Sequence, residues 1–477
     1  MEQKNKLKIN SRLSNSFNRR RQFLLSDGKK RGFKDKLNPS VYIVAGFLII
    51  MLIGSFLLSL PVANYFGVWT PYQDAFFTSA SSICVTGFTV LDTGAYYNHF
   101  GQIVILALVQ IGGLGFMTAA SMIFLLIGKR ISLKERLLIQ ESVSYDKLSG
   151  IIKVIKNIII FTFVTEAAGA VLFSFAFIPQ FGVGEGIYKS VFQSISAFCN
   201  SGFDVLSGSL TGYTSFGYFA ENSYVLLVNT ALIVLGGLGF AVIGDITGFK
   251  KTKRLSVNSK IILISTAAIT FLASLVFFAL EYNNAYSGMN VFDKMVNSVF
   301  HTVSSRTAGF AAVDSSSYTQ GSGFLTYVLM FVGAGPASCA GGIKITTIVV
   351  LFCVVRANIK NREEVTFGKN TVSDYSVKKA VMMLIFALTS IIVFTMLITV
   401  IENEAFSLGE ILSEVLNGFT TTGYPGGISS KLTVLSKLII TLTMFAGRTG
   451  PLILSFALSK GKKTALNIKY SEVNIIV

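Results

Sequence analysis

"ICVTGFTVLD", residues 83–92, closes a short apolar segment with a glycine–aromatic pair, Gly87–Phe88, and the same pairing returns three times further along the chain. "AFCNSGFDVLS" carries it at Gly202–Phe203, "SSRTAGFAAVD" at Gly309–Phe310 and "FTTTGYPGG" at Gly423–Tyr424. The intervals are about 110 residues, the length of two membrane spans with their loops, which is the mark of an internal repeat. A second echo follows each glycine: "QIGGLGF" at 110–116, "VLGGLGF" at 234–240, "MFVGAGP" at 330–336 and "MFAGRTGP" at 444–451. The repeated unit reads as span, short half-crossing helix, glycine loop, span.

Composition agrees that lipid is the solvent. Of 477 residues, 52% are hydrophobic and 14% are charged, outside the range of soluble domains. Apolar stretches at 41–61, 101–127, 153–178, 222–247, 261–281, 322–355, 380–402 and 432–459 are each long enough to cross a hydrocarbon core of roughly 30 Å. They predict eight crossings. The first follows a polar tail and has no small-residue cleavage site behind it, so a retained helix is expected, not a cleaved signal. The expected fold is all-α and polytopic, with four tandem repeats around a central axis. Residues 1–40 form a basic tail; 41–128, 151–248, 261–355 and 380–459 form the repeats; 129–150, 249–260 and 356–379 form loops, and 460–477 a second tail.

Most of the 41 Lys and Arg fall in the tails and those three loops, alternating with the spans, which places both termini and these loops in the cytoplasm of a multi-pass plasma-membrane protein. The opposite loops hold Lys189, Lys294, Lys431 and Lys437 against Asp74, Asp92, Asp204, Glu221, Glu281, Asp314 and Glu402, a balance that concentrates cations at the outer mouth. The net charge of +17 is mostly a topology signal. In a membrane protein the basic N-terminal tail suits anionic lipid or a partner's acidic face better than nucleic acid.

Other functions lack parts. Cys84, Cys199, Cys339 and Cys353 form no C-x-x-C pair and His99 and His301 stand apart, so neither a zinc site nor a disulfide frame is indicated, and the thiols read as buried and inert. No nucleophile–base set recurs, and "GVGEG" at 182–186 and "GAGPAS" at 333–338 lack the strand-to-helix setting of a phosphate loop. The chain is not expected to be an enzyme or to carry an organic cofactor. The alternative is a secondary carrier for a small solute, which also uses broken helices near the midplane. A scaffold or receptor would leave the four glycines without a purpose.

Loops that dip into a membrane must face protein or water, since lipid leaves their backbone groups unpaired. Four such loops around one axis therefore line a cavity. Glycine at positive φ lets successive carbonyl oxygens turn to the axis, and each preceding half-helix aims its partly negative C-terminus at the same place. Rings of neutral oxygen dipoles favour a weakly hydrated cation such as potassium. The candidate ion-binding residues are Val85, Thr86 and Gly87, Asn200, Ser201 and Gly202, Thr307, Ala308 and Gly309, and Thr421, Thr422 and Gly423.

With its T-G-F, S-G-F, A-G-F and T-G-Y loops and fourfold plan, the chain from 41 to 477 resembles the Trk/Ktr/HKT superfamily of potassium transporters, and most of all its Ktr-type membrane translocating subunits. Relatives that prefer sodium often carry serine at the first loop; this chain has glycine at all four, so the resemblance implies potassium as the permeant ion and leaves sodium open as an activator. It also implies a homodimer with one pore per protomer, above a cytosolic nucleotide-binding (RCK-type, ATP/ADP) regulatory ring.

The stretch "FVGAGPASCAGGIKITT" at 331–347 sits inside the sixth span. A helix over 322–355 would be roughly 50 Å long, so part of it must coil. Pro336 removes an amide donor and Gly341–Gly342 weakens the helix, so the run between them is the natural loop. In the resembling family this element is an intramembrane gate. The candidate gate, loop 333–347, comprises Gly333, Ala334, Gly335, Pro336, Ala337, Ser338, Cys339, Ala340, Gly341, Gly342 and Lys344, with Thr346 and Thr347 as further small contacts. Lys344 either anchors the loop or snorkels inward. Arg448, about a dozen residues from Lys460, lies too deep to reach the interface; it is expected to face the pore, holding the gate through carbonyls or forming a barrier to cations. Packing or interface roles are expected for Glu166 and Asp245.

Overall fold

In lipid the backbone must bond to itself, and helix is what results. The computed structural model describes residues 39–115, 151–206, 215–253, 255–368, 370–403, 405–425 and 427–461. Its helices, in order, are α1 (Pro39–Ser59), α2 (Tyr72–Cys84), α3 (His99–Leu114), α4 (Ile151–Phe181), α5 (Val183–Cys199), α6 (Ser223–Gly237), α7 (Phe240–Thr252), α8 (Val257–Glu281), α9 (Val291–Ser304), α10 (Gln320–Phe331), α11 (Ile345–Ile359), α12 (Asp374–Glu402), α13 (Leu408–Thr420) and α14 (Val434–Gly461). Thr366–Phe367 and Asn370–Thr371, β1 and β2, pair antiparallel between α11 and α12. Contacts divide the chain into Met1–Ile43 and Val44–Val477. The second unit holds everything that follows.

Helix starts are written locally. Asn98, Asn222, Ser256, Asn290, Thr319, Ser373 and Ser407 each accept a hydrogen bond from a first-turn amide through the side chain. Each such cap contributes about 1 kcal/mol. One of these starts, at Thr319, and the start of α14, at Thr433, are also clamped from the preceding long helix. Glu281 Oε1 accepts from Thr319 N at 3.0 Å and Oγ1 at 2.6 Å, and Glu402 Oε1 accepts from Thr433 N at 3.0 Å and Oγ1 at 2.7 Å. These two acids, among those expected at the outer mouth, join the end of one helix to the start of another.

Three single helices, Ile152–Phe181, Val257–Glu281 and Asp374–Glu402, are long and apolar enough to cross a membrane, and Val44–Ser59 of α1, α3 and α11 are shorter apolar helices. Stretch 101–127 is described only as α3; its remainder, loop 129–150, the tail to residue 38 and residues 462–477 lie outside the described residues. The stretch 222–247, expected as one span, is two helices meeting at 97° across Leu238–Gly239. The cause is Gly239, whose φ of 92° no helix tolerates. The sixth stretch breaks between Phe331 and Ile345, so Thr346 and Thr347, expected in the loop, belong to the first turn of α11.

The short helices are wedged between longer ones. α2 packs on α3, α5 on α4, α9 on α8, and α13 on α12 and α14. The contacts also run onward in a circuit: α3 touches α5, α6 touches α9, α10 touches α13, and α14 returns to α2. At the closing contact Lys437 Nζ lies 3.0 Å from Asp74 Oδ1, both largely buried. That ion pair joins residues 363 positions apart.

Candidate functional site

Each short helix ends by reversing its backbone hand. Val85, Asn200, Thr307 and Thr421 have φ of 59°, 57°, 87° and 53°, and the glycines two positions later, Gly87, Gly202, Gly309 and Gly423, have φ of 87°, 75°, 73° and 65°. A β-branched residue such as Val85 or Thr421 in that region stores roughly 1–3 kcal/mol of strain, which persists only where the surroundings hold it. Helix carbonyls do so here. Thr86 N donates to Ser81 O at 2.8 Å, Ser201 N to Ser196 O at 2.9 Å and Thr422 N to Asn417 O at 3.0 Å. In the third loop the bonds slip by one residue, and Ala308 N and Gly309 N both reach Ser304 O, at 2.9 and 3.1 Å.

The four loops interlock. A methyl group on Gly87 would strike Ser201 O, one on Gly202 would meet Ala308 O at 2.8 Å, one on Gly309 would strike Thr422 O, and one on Gly423 would strike Thr86 O. The series closes on itself. Each glycine is thus pressed against the carbonyl that precedes the next loop's glycine. Side chains lock the aromatic residues behind: Ser304 Oγ donates to Phe310 O at 2.5 Å, Ser196 Oγ donates to Phe203 O, and Asn417 both donates to Tyr424 O at 3.0 Å and accepts from Tyr424 N at 2.9 Å. Tyr424 Oη also meets His301 Nδ1 at 3.2 Å, and His301 Nε2 meets Thr326 Oγ1 at 2.9 Å, tying the fourth loop to α9 and α10. Burial of His301 was not legible in the sequence, where it stands without a partner.

On one face of the ring lies a cavity of about 250 Å³, bounded by the four glycines, by residues after them including Asp92 and Asp204, and by Glu414 of α13. The Glu414 carboxylate is itself held by Ser429 Oγ.

Against the other face runs segment 332–344. Gly341 abuts the Thr421 side chain and Gly342, at φ 62°, lies on the Thr420 backbone. The segment is pinned on a second side by the break between α6 and α7. Gly335 N donates to Gly237 O at 2.9 Å, Cys339 N to Gly236 O at 3.3 Å, and Phe240 N to Ala337 O at 3.0 Å, while Pro336 O fits against Gly239. Ala334 O accepts from Ile345 N at 3.0 Å, and Ser338 Oγ accepts from Ala340 N at 3.3 Å.

Three cations hold five further carbonyls of the segment. Lys344 Nζ turns back to Ala340 O at 2.7 Å and Gly341 O at 3.0 Å. Arg448 donates to Cys339 O and to Gly112 O at the end of α3. Arg306, which sequence reasoning missed, donates from Nη2 to Gly333 O at 3.1 Å and from Nε to Val332 O at 3.4 Å. Among the described residues the ion pairs are His99–Glu185, Lys189–Glu185 and Lys437–Asp74, and none includes these three cations. Bonds from an ionised donor are about twice as strong as neutral ones, so a few side chains dominate what holds this segment.

Glu166 accepts from Gln110 Nε2 at 3.0 Å, and Asp245 caps α8 through Ser256 N at 3.2 Å and Ser259 Oγ at 2.6 Å; both serve packing. Cys84, Cys199, Cys339 and Cys353 are free and buried.

Comparison with known proteins places this geometry. A protein described as "Ktr system potassium uptake protein B" from Bacillus subtilis is 35% identical, the match covering 92% of this chain and 96% of the relative. "Potassium/sodium uptake protein NtpJ" from Enterococcus hirae is 34% identical over 94% and 99%. The crystal structure of the potassium transporter TrkH from Vibrio parahaemolyticus superposes with a TM-score of 0.66 at 19% identity, over 87% of this chain and 84% of that one, and so shares the fold. Residues 38–465 match the TrkH family model, described as a cation transport protein. The chain belongs to the TrkH family of membrane cation transport proteins.

Proposed function

We propose that the chain takes up potassium across the plasma membrane through a filter made by residues 85–87, 200–202, 307–309 and 421–423, with segment 333–344 as the gate. One observation carries the reading: the closed series of glycine-to-carbonyl contacts, in which each loop is completed by the next. Such a ring supplies oxygens in place of a hydration shell, which suits a weakly hydrated monovalent cation. The printed names of the relatives, potassium uptake and potassium/sodium uptake, support the same cargo and keep sodium in view as an activator.

The plan is four span–short helix–span repeats with eight crossings and cytoplasmic termini. It is supported by the recurring Gly-aromatic pairs, by the matched clamps at Glu281 and Glu402, and by the alternation of basic segments. The gate opens by withdrawing segment 333–344 from Thr420 and Thr421, and Arg448 and Lys344 set how readily it does so. A homodimer on a cytosolic nucleotide-binding ring would supply control, with the basic loops as its docking surface; the relatives' designation as a Ktr system fits a multi-component assembly. The relatives are transporters by name, and nothing in the site calls for catalysis.

The test is potassium rescue of an uptake-deficient cell, with rubidium and sodium influx measured in parallel. Wild type restores growth at low potassium. Gly87→Ser and Gly309→Ser lower potassium uptake and, in what remains, reduce discrimination between potassium and sodium; full growth with unchanged discrimination in both variants rejects the filter.

A further inference from the structure

The four junctions between a glycine loop and its following helix are not alike. In three of them a glycine lets the helix backbone lie directly on the carbonyl four positions before the loop glycine: Gly112 on Ile83 O, Gly236 on Phe198 O and Gly447 on Phe419 O. No side chain fits there. In the third the matching position, one residue before the Gly-x-Gly of Gly333 and Gly335, is Val332. A valine forbids the close approach, and the junction is bridged instead by the Arg306 guanidinium to Val332 O and Gly333 O.

Arg306 is placed for this by its own loop. At three residues before the glycine the other loops have Cys84, Cys199 and Thr420, all uncharged and short. The third has a buried arginine adjoining Thr307, whose φ is 87°, in the one loop whose capping bonds are displaced by a residue. Its partners are the carbonyls that end α10, where the helix dipole favours a cation. They are also the first residues of the segment that breaks. One side chain thus joins the third loop to the start of segment 332–344, replacing a rigid backbone seat with bonds that can be remade.

We infer that Arg306 is a positioning residue that makes ion discrimination depend on the state of the gate: when segment 332–344 moves, Arg306 carries the displacement to Thr307 and the third loop. This rests on the filter and gate assigned above. The geometry also predicts how the dependence can be removed. A glycine at position 332 would restore the close seat found in the other three junctions and make the arginine dispensable.

The experiment uses the full chain in liposomes, with rubidium and sodium influx measured for wild type, Arg306→Gln, Arg306→Lys, Arg306→Gln with Val332→Gly, and Gly87→Ser. In Arg306→Gln, rubidium-over-sodium discrimination falls on the order of tenfold while resting flux rises, as expected when charge-assisted bonds are lost. Arg306→Lys, whose ammonium reaches one carbonyl at a time, falls about threefold. Val332→Gly in the Arg306→Gln background recovers discrimination, which a merely structural arginine would not permit. Wild-type values of both readouts in Arg306→Gln overturn the inference, as does a rise in flux with discrimination intact. If Arg306→Gln does not fold, Arg306→Lys decides by the same criteria. Loss of discrimination in Gly87→Ser with a silent Arg306→Gln rejects the strut alone, whereas a silent Gly87→Ser rejects the filter beneath it.

Discussion

The glycine ring and segment 332–344 use the same small residues and are held in opposite ways. In the ring, backbone presses on backbone, each loop is completed by its neighbour, and a single methyl group has nowhere to go. In the segment, the carbonyls of 332–341 are held mainly by Arg306, Lys344 and Arg448, side chains that can let go one at a time. A selective surface needs fixed oxygen positions, and a gate needs two arrangements close in free energy. On the proposed reading, interlocked backbone supplies the first and long cationic side chains supply the second.

That contrast can be broken by experiment. The largest effect is expected in the ring: Gly309→Ala or Gly423→Ala drives a methyl into Thr422 O or Thr86 O at a positive φ, and rubidium uptake falls on the order of a hundredfold. Uptake close to wild type in both would mean the ring is not interlocked. Arg448→Ala frees Cys339 O and Gly112 O, and resting flux rises about tenfold. Unchanged flux and gating would remove Arg448 from the gate.

Smaller effects sharpen it. Lys344→Gln leaves one donor for Ala340 O or Gly341 O, so resting flux rises about threefold. The smallest effect falls outside both regions, at the start of α13, where Ser407 and Glu410 form a reciprocal cap. Ser407→Ala lowers the thermal midpoint by about a degree or two and leaves flux unaltered. The Ser407 hydroxyl and amide hold the Glu410 carboxyl below its ordinary pKa. A lowered folded pKa means the cap contributes fully above the unfolded value of about 4.3 and is lost as pH falls through the folded one. The difference between Ser407→Ala and wild type therefore narrows in acid, as thermal melts at neutral and acid pH would report.

Much of the molecule was legible because its signals are local. Hydropathy marks the spans, a glycine before an aromatic marks each loop, and Pro336 with Gly341–Gly342 marks the sixth break. The break at Gly239 is written in the same letters, "GGLGF", but inside a stretch whose hydropathy reads as one continuous span. Only the partner reveals it: Phe240 N is spent on Ala337 O, so the turn is stabilised by a segment about 100 residues away. Arg306 hid for a similar reason. An arginine three residues before a loop glycine has no periodicity and no motif, and its contacts exist only once Val332 and Gly333 arrive next to it.

Sequence alone determined that this chain lives in lipid, that its backbone must therefore be helical or shielded, and that four glycine turns recur at similar steps, because transfer energies and permitted φ values belong to single residues and short runs. Tertiary structure alone decided which carbonyl each glycine faces, that the fourth loop completes the first, and that three cations converge on one broken helix. Those are contacts between residues remote in the chain, where hydrogen-bond range of about 3 Å, and not sequence distance, selects the partner.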